Sequence, residues 1–224
     1  MDDRENKERY HQVLLAKNLT GYKNLVKLTS MGYLQGMYYK PRIDKEVLER
    51  HSEGLIATTC CLASEVNRTI LQKGEAEGRK IFEWYLNLFG ADYYIELQRH
   101  GLRDQEIVNE VLIRWSKEYN VKMICTNDAH YIDREDSEAH DILLALQTNA
   151  DINDPNRFRF TDDNNRLSHE FYLKSPEEMM ELFADVPESL DHTNEIIDKV
   201  EPIKLKSDLL LPYYNIPPGY DTMD

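Results

Sequence analysis

The sequence predicts an α/β protein of about four βα units followed by a helical connector. Short apolar runs alternate with amphipathic helical stretches, and glycines or capping residues punctuate the joins. Crossovers of this length return the chain to the same end of a sheet, so all four strands are expected to be parallel. The runs have few alternating polar positions, which fits a sheet covered on both faces.

The first strand is read at 11–17, HQVLLAK, and the following helix is capped at Thr20, with Leu25, Leu28, Met31 and Tyr33 at helical spacing. The second strand is 54–59, GLIATT. Helices are expected over 61–71 and 75–88, with Gly74 between them and Gly90 as a stop. The third strand, 93–98, precedes a helix at 104–119 whose apolar face is Ile107, Val111, Leu112 and Trp115; that stripe is core. The fourth strand, 121–126, leads through Asn127–Tyr131 into a helix at 136–148. Four units are half of a barrel of about eight, so an incomplete barrel is expected.

Beyond 150 the texture changes, and the chain is divided into 1–150 and 151–224. Residues 151–169 are polar and irregular, and 170–174 is a short strand candidate. Ser175-Pro176-Glu177-Glu178 is a helix start with a serine cap, proline at the first position and acids in the first turn. Pro187 opens another helix to about Val200, and Leu209 to Asp224 reads as a Pro-rich linker.

The chain carries 27 basic and 41 acidic residues, a formal charge of -14. That balance repels phosphate backbones and argues against a module whose main task is gripping nucleic acid. Three cysteines, two of them adjacent, make no disulfide framework and suit a reducing compartment. With no signal-peptide pattern at the start and no run of ~18 apolar residues, a soluble cytoplasmic protein without membrane contact is expected.

In α/β folds functional groups collect past the carboxyl ends of strands. Cys60 and Cys61 follow strand two, His100 follows strand three, and Asp128 and His130 follow strand four; His11 stands at the start of strand one and obeys the rule loosely. Imidazole, thiol and carboxylate are ligands for zinc, manganese or iron. Asp128 and His130, two apart in an extended segment, face the same way. Each has a structural use too: His100 as a satisfied core histidine, Cys60 and Cys61 as small core fillers, Asp128 as a turn or cap residue. His51, His140, His169 and His192 are read as structural. No P-loop, dinucleotide turn or nucleophile elbow is present, nor the Asp-x-Asp strand pattern that a polymerase palm uses to hold two magnesium ions.

The segments Thr20–Leu25, Tyr38–Asp44, Glu53–Ile56, Glu96–Gly101, Thr126–Tyr131, Glu138–Asp141, Asp154–Phe160, Tyr172–Met179 and Leu182–Asp185, in uninterrupted order, resemble the PHP (polymerase and histidinol phosphatase) domain of bacterial DNA polymerase III alpha subunits. The resemblance implies an incomplete, PHP-type distorted βα barrel. It implies a divalent metal site, zinc or manganese, with His11, Cys61, His100, Asp128 and His130 as ligands. Further family ligands would lie before Met1, and the palm, fingers and thumb with their magnesium would lie after Asp224.

The activity implied for the parent is DNA-directed DNA synthesis, with this segment supporting 3′–5′ exonuclease proofreading or stabilising the polymerase; the fragment itself is expected to be inactive. Implied partners are the rest of the alpha chain and other replisome subunits, with DNA held mainly by other domains. A half-barrel with open strand edges is also expected to pair with a second copy. The rival readings are a stand-alone PHP phosphoesterase of small phosphate esters and a non-enzymatic replisome scaffold.

Overall fold

The computed structural model describes residues 8–206, 215 and 218–219; the linker expected over 209–224 falls almost wholly outside them. One sheet in the order β1-β2-β3-β4 organises the chain. Its strands are β1 (Leu14–Ala16), β2 (Leu55–Thr58), β3 (Tyr93–Leu97) and β4 (Met123–Cys125). The helices are α1 (Leu19–Leu34), α2 (Lys45–Arg50), α3 (Glu65–Lys73), α4 (Glu75–Phe89), α5 (Arg103–Tyr119), α6 (Ser137–Thr148), α7 (Pro176–Leu182) and α8 (Glu188–Lys199).

Strands β2, β3 and β4 are parallel, as expected, but β1 runs antiparallel to β2, with Leu14 opposite Ala57 and Ala16 opposite Leu55. The expectation of four parallel strands is therefore corrected to three. The cause is a close approach between the segments after β1 and before β2. The Lys17 amide donates to the Gly54 carbonyl at 2.8 Å. A Cβ on Gly21 would stand 1.9 Å from that same oxygen. The end of β1 is thus pinned to the start of β2, which only an antiparallel pair allows. β1 is also an edge strand with Val13 and Leu15 exposed, not the buried strand expected at 11–17.

The sheet is covered on both faces. Leu55, Ala57, Tyr93, Ile95, Leu97 and Met123 point into a core shared with α3, α4 and α5, where Phe82 lies between Tyr93 and Trp115 at ring distances of 5.4 and 5.0 Å. Ile56, Tyr94 and Ile124 point the other way, against Ile196 of α8. Period-two alternation between two apolar layers explains why these strands read as continuous hydrophobic runs. The described strands form an open sheet, so the fold shown is mixed α/β.

Caps decide several helix starts. α1 begins after Asn18, whose side chain accepts from the Gly21 amide, rather than at Thr20. α3 begins after Ser64, which accepts from the Asn67 amide; the helix expected from Cys61 is corrected, and Cys61 lies in the preceding turn. Asn67 Nδ2 donates to the Cys60 and Cys61 carbonyls at 3.0 Å and holds that turn. α7 carries the expected serine cap and first-turn proline, and Glu178 completes a capping box with Ser175. The 170–174 segment makes one bridge, Tyr131 to Tyr172, and is no strand of the sheet, because its backbone partners are the loop residues 130–132.

Candidate functional site

The antiparallel β1 solves the position of His11. Its residue lies before β1, and with β1 reversed that end sits beside the carboxyl ends of β2, β3 and β4. His11 bridges to Ser64, and its amide donates to the Ala63 carbonyl at 3.0 Å. All five residues singled out in the sequence therefore lie along one edge of the sheet.

They do not converge there. His11 and Cys61 meet, with Nδ1 and Sγ 3.6 Å apart. The Cys61 thiol is lowered to about 6, first by the Cys60 thiol that donates to it, then by the Ala63 amide and by His11. Cys60, buried and with φ at +58°, is pushed up because it is that donor and because burial disfavours its charged form.

His100 is locked in the interior. It is 3% exposed, and its ring stacks on Phe171 with centroids 4.0 Å apart. Nε2 donates to the Asn127 carbonyl at 2.8 Å, which leaves Nδ1 to accept from Gln105 Nε2 at 2.8 Å. Both ring nitrogens are spent, so no lone pair is left for an ion. Burial lowers its pKa, which keeps the ring neutral.

Asp128 and His130 share the exposed turn after β4. Asp128 has φ at +45°, and His130 Nδ1 donates to its carbonyl at 2.6 Å, leaving Nε2 open. His140, read from sequence as structural, stands 5.6 Å ring to ring from His130, with Phe160 4.6 Å from the latter. Burial and the neighbouring His130 lower the His140 pKa. His192 and His169 are hydrogen-bonded to Met123 O and Ser137 Oγ.

The sequence reading missed Glu96, a buried carboxylate at the centre of this edge. It accepts from Thr58 Oγ1 and Thr126 Oγ1, both at 2.6 Å, and from Gln98 Nε2 at 3.2 Å, tying three adjacent strand ends together. Its signal was a charge inside an otherwise apolar strand, since an unpaired buried carboxylate is too costly to persist.

Among the described residues no group of three His, Cys, Asp or Glu side chains is placed to hold a metal ion. Of the five residues only His11 and Cys61 bring donor atoms together, and these residues do not by themselves fit a metal centre.

Three parallel strands ending beside imidazole, thiol and carboxylate groups make an α/β domain with a candidate site at one edge of its sheet, and residues 1–100 match the PHP domain family. Nearly the whole chain is related to one segment of the bacterial DNA polymerase III alpha subunits. It is 46% identical over 215 residues to DNA polymerase III subunit alpha of Borreliella burgdorferi, covering 96% of this chain and 18% of that protein. The same-named proteins of Campylobacter jejuni and Deinococcus radiodurans are 43% and 41% identical, over 89% and 94% of this chain and 17% and 16% of theirs. The chain thus spans less than a fifth of the length of the curated relatives it matches. Among the described residues no helix is long and apolar enough to cross a membrane.

Proposed function

We propose that this chain is the PHP segment of a replicative DNA polymerase alpha subunit, whose complete chain extends DNA primers by two-magnesium phosphoryl transfer at a core outside these residues. The identity of 41–46% over nearly the full chain to three alpha subunits carries the reading. Its partners are then the remainder of the alpha chain and the other replisome subunits. A closed PHP-type barrel would need strands beyond the open sheet. The edge of β1, with Val13 and Leu15 exposed, is where a further strand or a second copy would add.

Of the two roles implied for such a segment, proofreading exonuclease and structural platform, the structural one is favoured by the locked ring of His100. The His11–Cys61 pair is a half-site for zinc or manganese that needs further donors to complete a coordination shell of about four, with Asp128 and His130 as candidates on the turn after β4. The segment after 150 supports a connector over a stand-alone phosphoesterase, because α8 packs on the sheet through Ile196 and leads the chain back past Lys17, whose carbonyl accepts from the Glu201 amide at 2.8 Å.

The test is an immunoblot of source-cell lysate with antibody raised to this chain. A single band several times heavier than 26.4 kDa is expected. A band at 26.4 kDa alone would overturn the reading.

A further inference from the structure

Two helices are apolar on the side that faces solvent. α1 turns Gly21, Asn24, Leu28 and Gly32 inward. On its opposite side Leu19, Tyr22, Val26 and Tyr33 stand exposed at intervals of three, four and seven, the spacing of a seam by which one helix packs on another. α6 turns Ser137, Asp141, Leu144 and Ala145 inward. Its outer side is Ala139, Ile142, Leu143 and Leu146, the i, i+3, i+4, i+7 pattern of a buried stripe, yet Leu146 is 77% exposed. A helix apolar on both sides belongs between two layers, and among the described residues each of these has a cover on one side only.

The two faces carry opposite charge. From His11 to Ile43 there is no aspartate or glutamate, and Lys23 and Lys27 flank the α1 seam. From Glu135 to Asn156 there is no lysine or arginine, and Glu135 and Glu138 stand at the start of α6. These four side chains are exposed and make no ion pair among the described residues. Neither face suits its own kind: α1 on α1 gathers only cations, and α6 on α6 gathers only carboxylates. An α1 face on an α6 face joins two apolar stripes and sets lysine against carboxylate. One chain therefore carries both halves of a complementary contact.

We infer that this chain self-associates head to tail, the Leu19–Tyr22–Val26–Tyr33 face of α1 in one copy seated on the Ala139–Ile142–Leu143–Leu146 face of α6 in the next. The contact is heterologous, so it needs one face from each of two copies. One helix face per copy makes a small interface, and the association is weak and reversible. It lies apart from the edge of β1 and is independent of the polymerase reading, because it uses only surfaces of this chain.

The test is analytical ultracentrifugation of the 224-residue chain over a concentration series. The weight-average mass is expected to rise above 26.4 kDa as concentration increases. Val26→Glu and Leu146→Gln, with folding checked by circular dichroism, are each expected to weaken association about tenfold or more, since each removes one of the two faces from every copy. Mixed in equal amounts, the two variants are expected to recover 1:1 dimers, because the intact α6 of the first meets the intact α1 of the second. Lys23→Glu with Lys27→Glu is expected to weaken association about tenfold, and adding Glu135→Lys with Glu138→Lys to restore it. Leu15→Lys, on the edge of β1, is expected to leave association unchanged. A chain that stays at 26.4 kDa at every concentration overturns the inference. So does full association in either single variant, which would mean that one face pairs with itself, or a mixture that recovers nothing. Loss of association in Leu15→Lys with both helix variants unaffected would overturn it too, in favour of pairing through the sheet edge.

Discussion

Arg157 grips Asp141 across sixteen residues of sequence with both ends of its guanidinium, Nη1 to Oδ1 at 2.8 Å and Nη2 to Oδ2 at 2.5 Å, in a pair whose side chains are 2% and 8% exposed. Arg159 adds a third and a fourth contact to the same carboxylate. An otherwise irregular segment is thereby fastened to α6. Removing one partner of a buried pair strands the other charge, so Asp141→Ala is expected to destabilise the chain by about 3–5 kcal/mol in thermal or urea unfolding. The Arg157 guanidinium, followed by Arg159, holds the Asp141 pKa below its ordinary 3.8. Its share of stability is therefore fully present above 3.8 and is lost as pH falls below it, a dependence that should vanish in Asp141→Ala.

His100→Ala separates a ligand from a structural residue. The ring satisfies Asn127 O and Gln105 Nε2 and packs on Phe171, so its loss should cost about 2–4 kcal/mol of stability. Metal content of the dialysed chain, read by mass spectrometry, should be the same with and without the ring. Burial lowers this histidine's pKa below 6.5, so the unfolded chain protonates first and stability should decline as pH falls through 6.5. The His100→Ala protein should lack that decline.

Cys61 should be the reactive thiol. With its pKa lowered to about 6, alkylation by iodoacetamide should rise with a midpoint near that pH, because the thiolate is the nucleophile. Cys60 and Cys125, both pushed up, should stay largely unlabelled at pH 7 in peptide mapping. His11→Ala removes one stabilising contact and should move the midpoint upward. Labelling of Cys125 ahead of Cys61 would refute the lowered thiol, and an unmoved midpoint in His11→Ala would refute the contribution of His11.

Gly21→Ala should damage the start of the fold. The new methyl would sit 1.9 Å from the Gly54 carbonyl oxygen, and backbone cannot step aside as a flexible side chain can. Gly54 itself, at φ +74°, is no freer to move. A loss of about 3 kcal/mol in urea unfolding is expected. Gly74→Ala has open space around it and should cost less, limited to the strain of its own positive φ.

Local pattern determined most of the elements. The apolar runs of β2, β3 and β4 became buried strands because each has neighbours on both faces. The Ser175 capping box and the Gly90 stop fixed their helix ends through bonds made within a few residues. The same reading put Cys61, His100, Asp128 and His130 past the carboxyl ends of β2, β3 and β4, since chemistry-bearing side chains past a strand end need only the strand to be recognised.

Direction and availability were decided by tertiary structure. Nothing in HQVLLAK states that β1 runs backwards; the contact of Gly21 with Gly54 does, and it carries His11 to Cys61. Whether His100 can offer a lone pair depends on Gln105 and Asn127, one of them twenty-seven residues away. Glu96 gains its place from hydroxyls on two other strand ends. Periodicity and capping are short-range and legible in the chain, whereas the partner of a buried polar atom is set by packing that brings distant segments together.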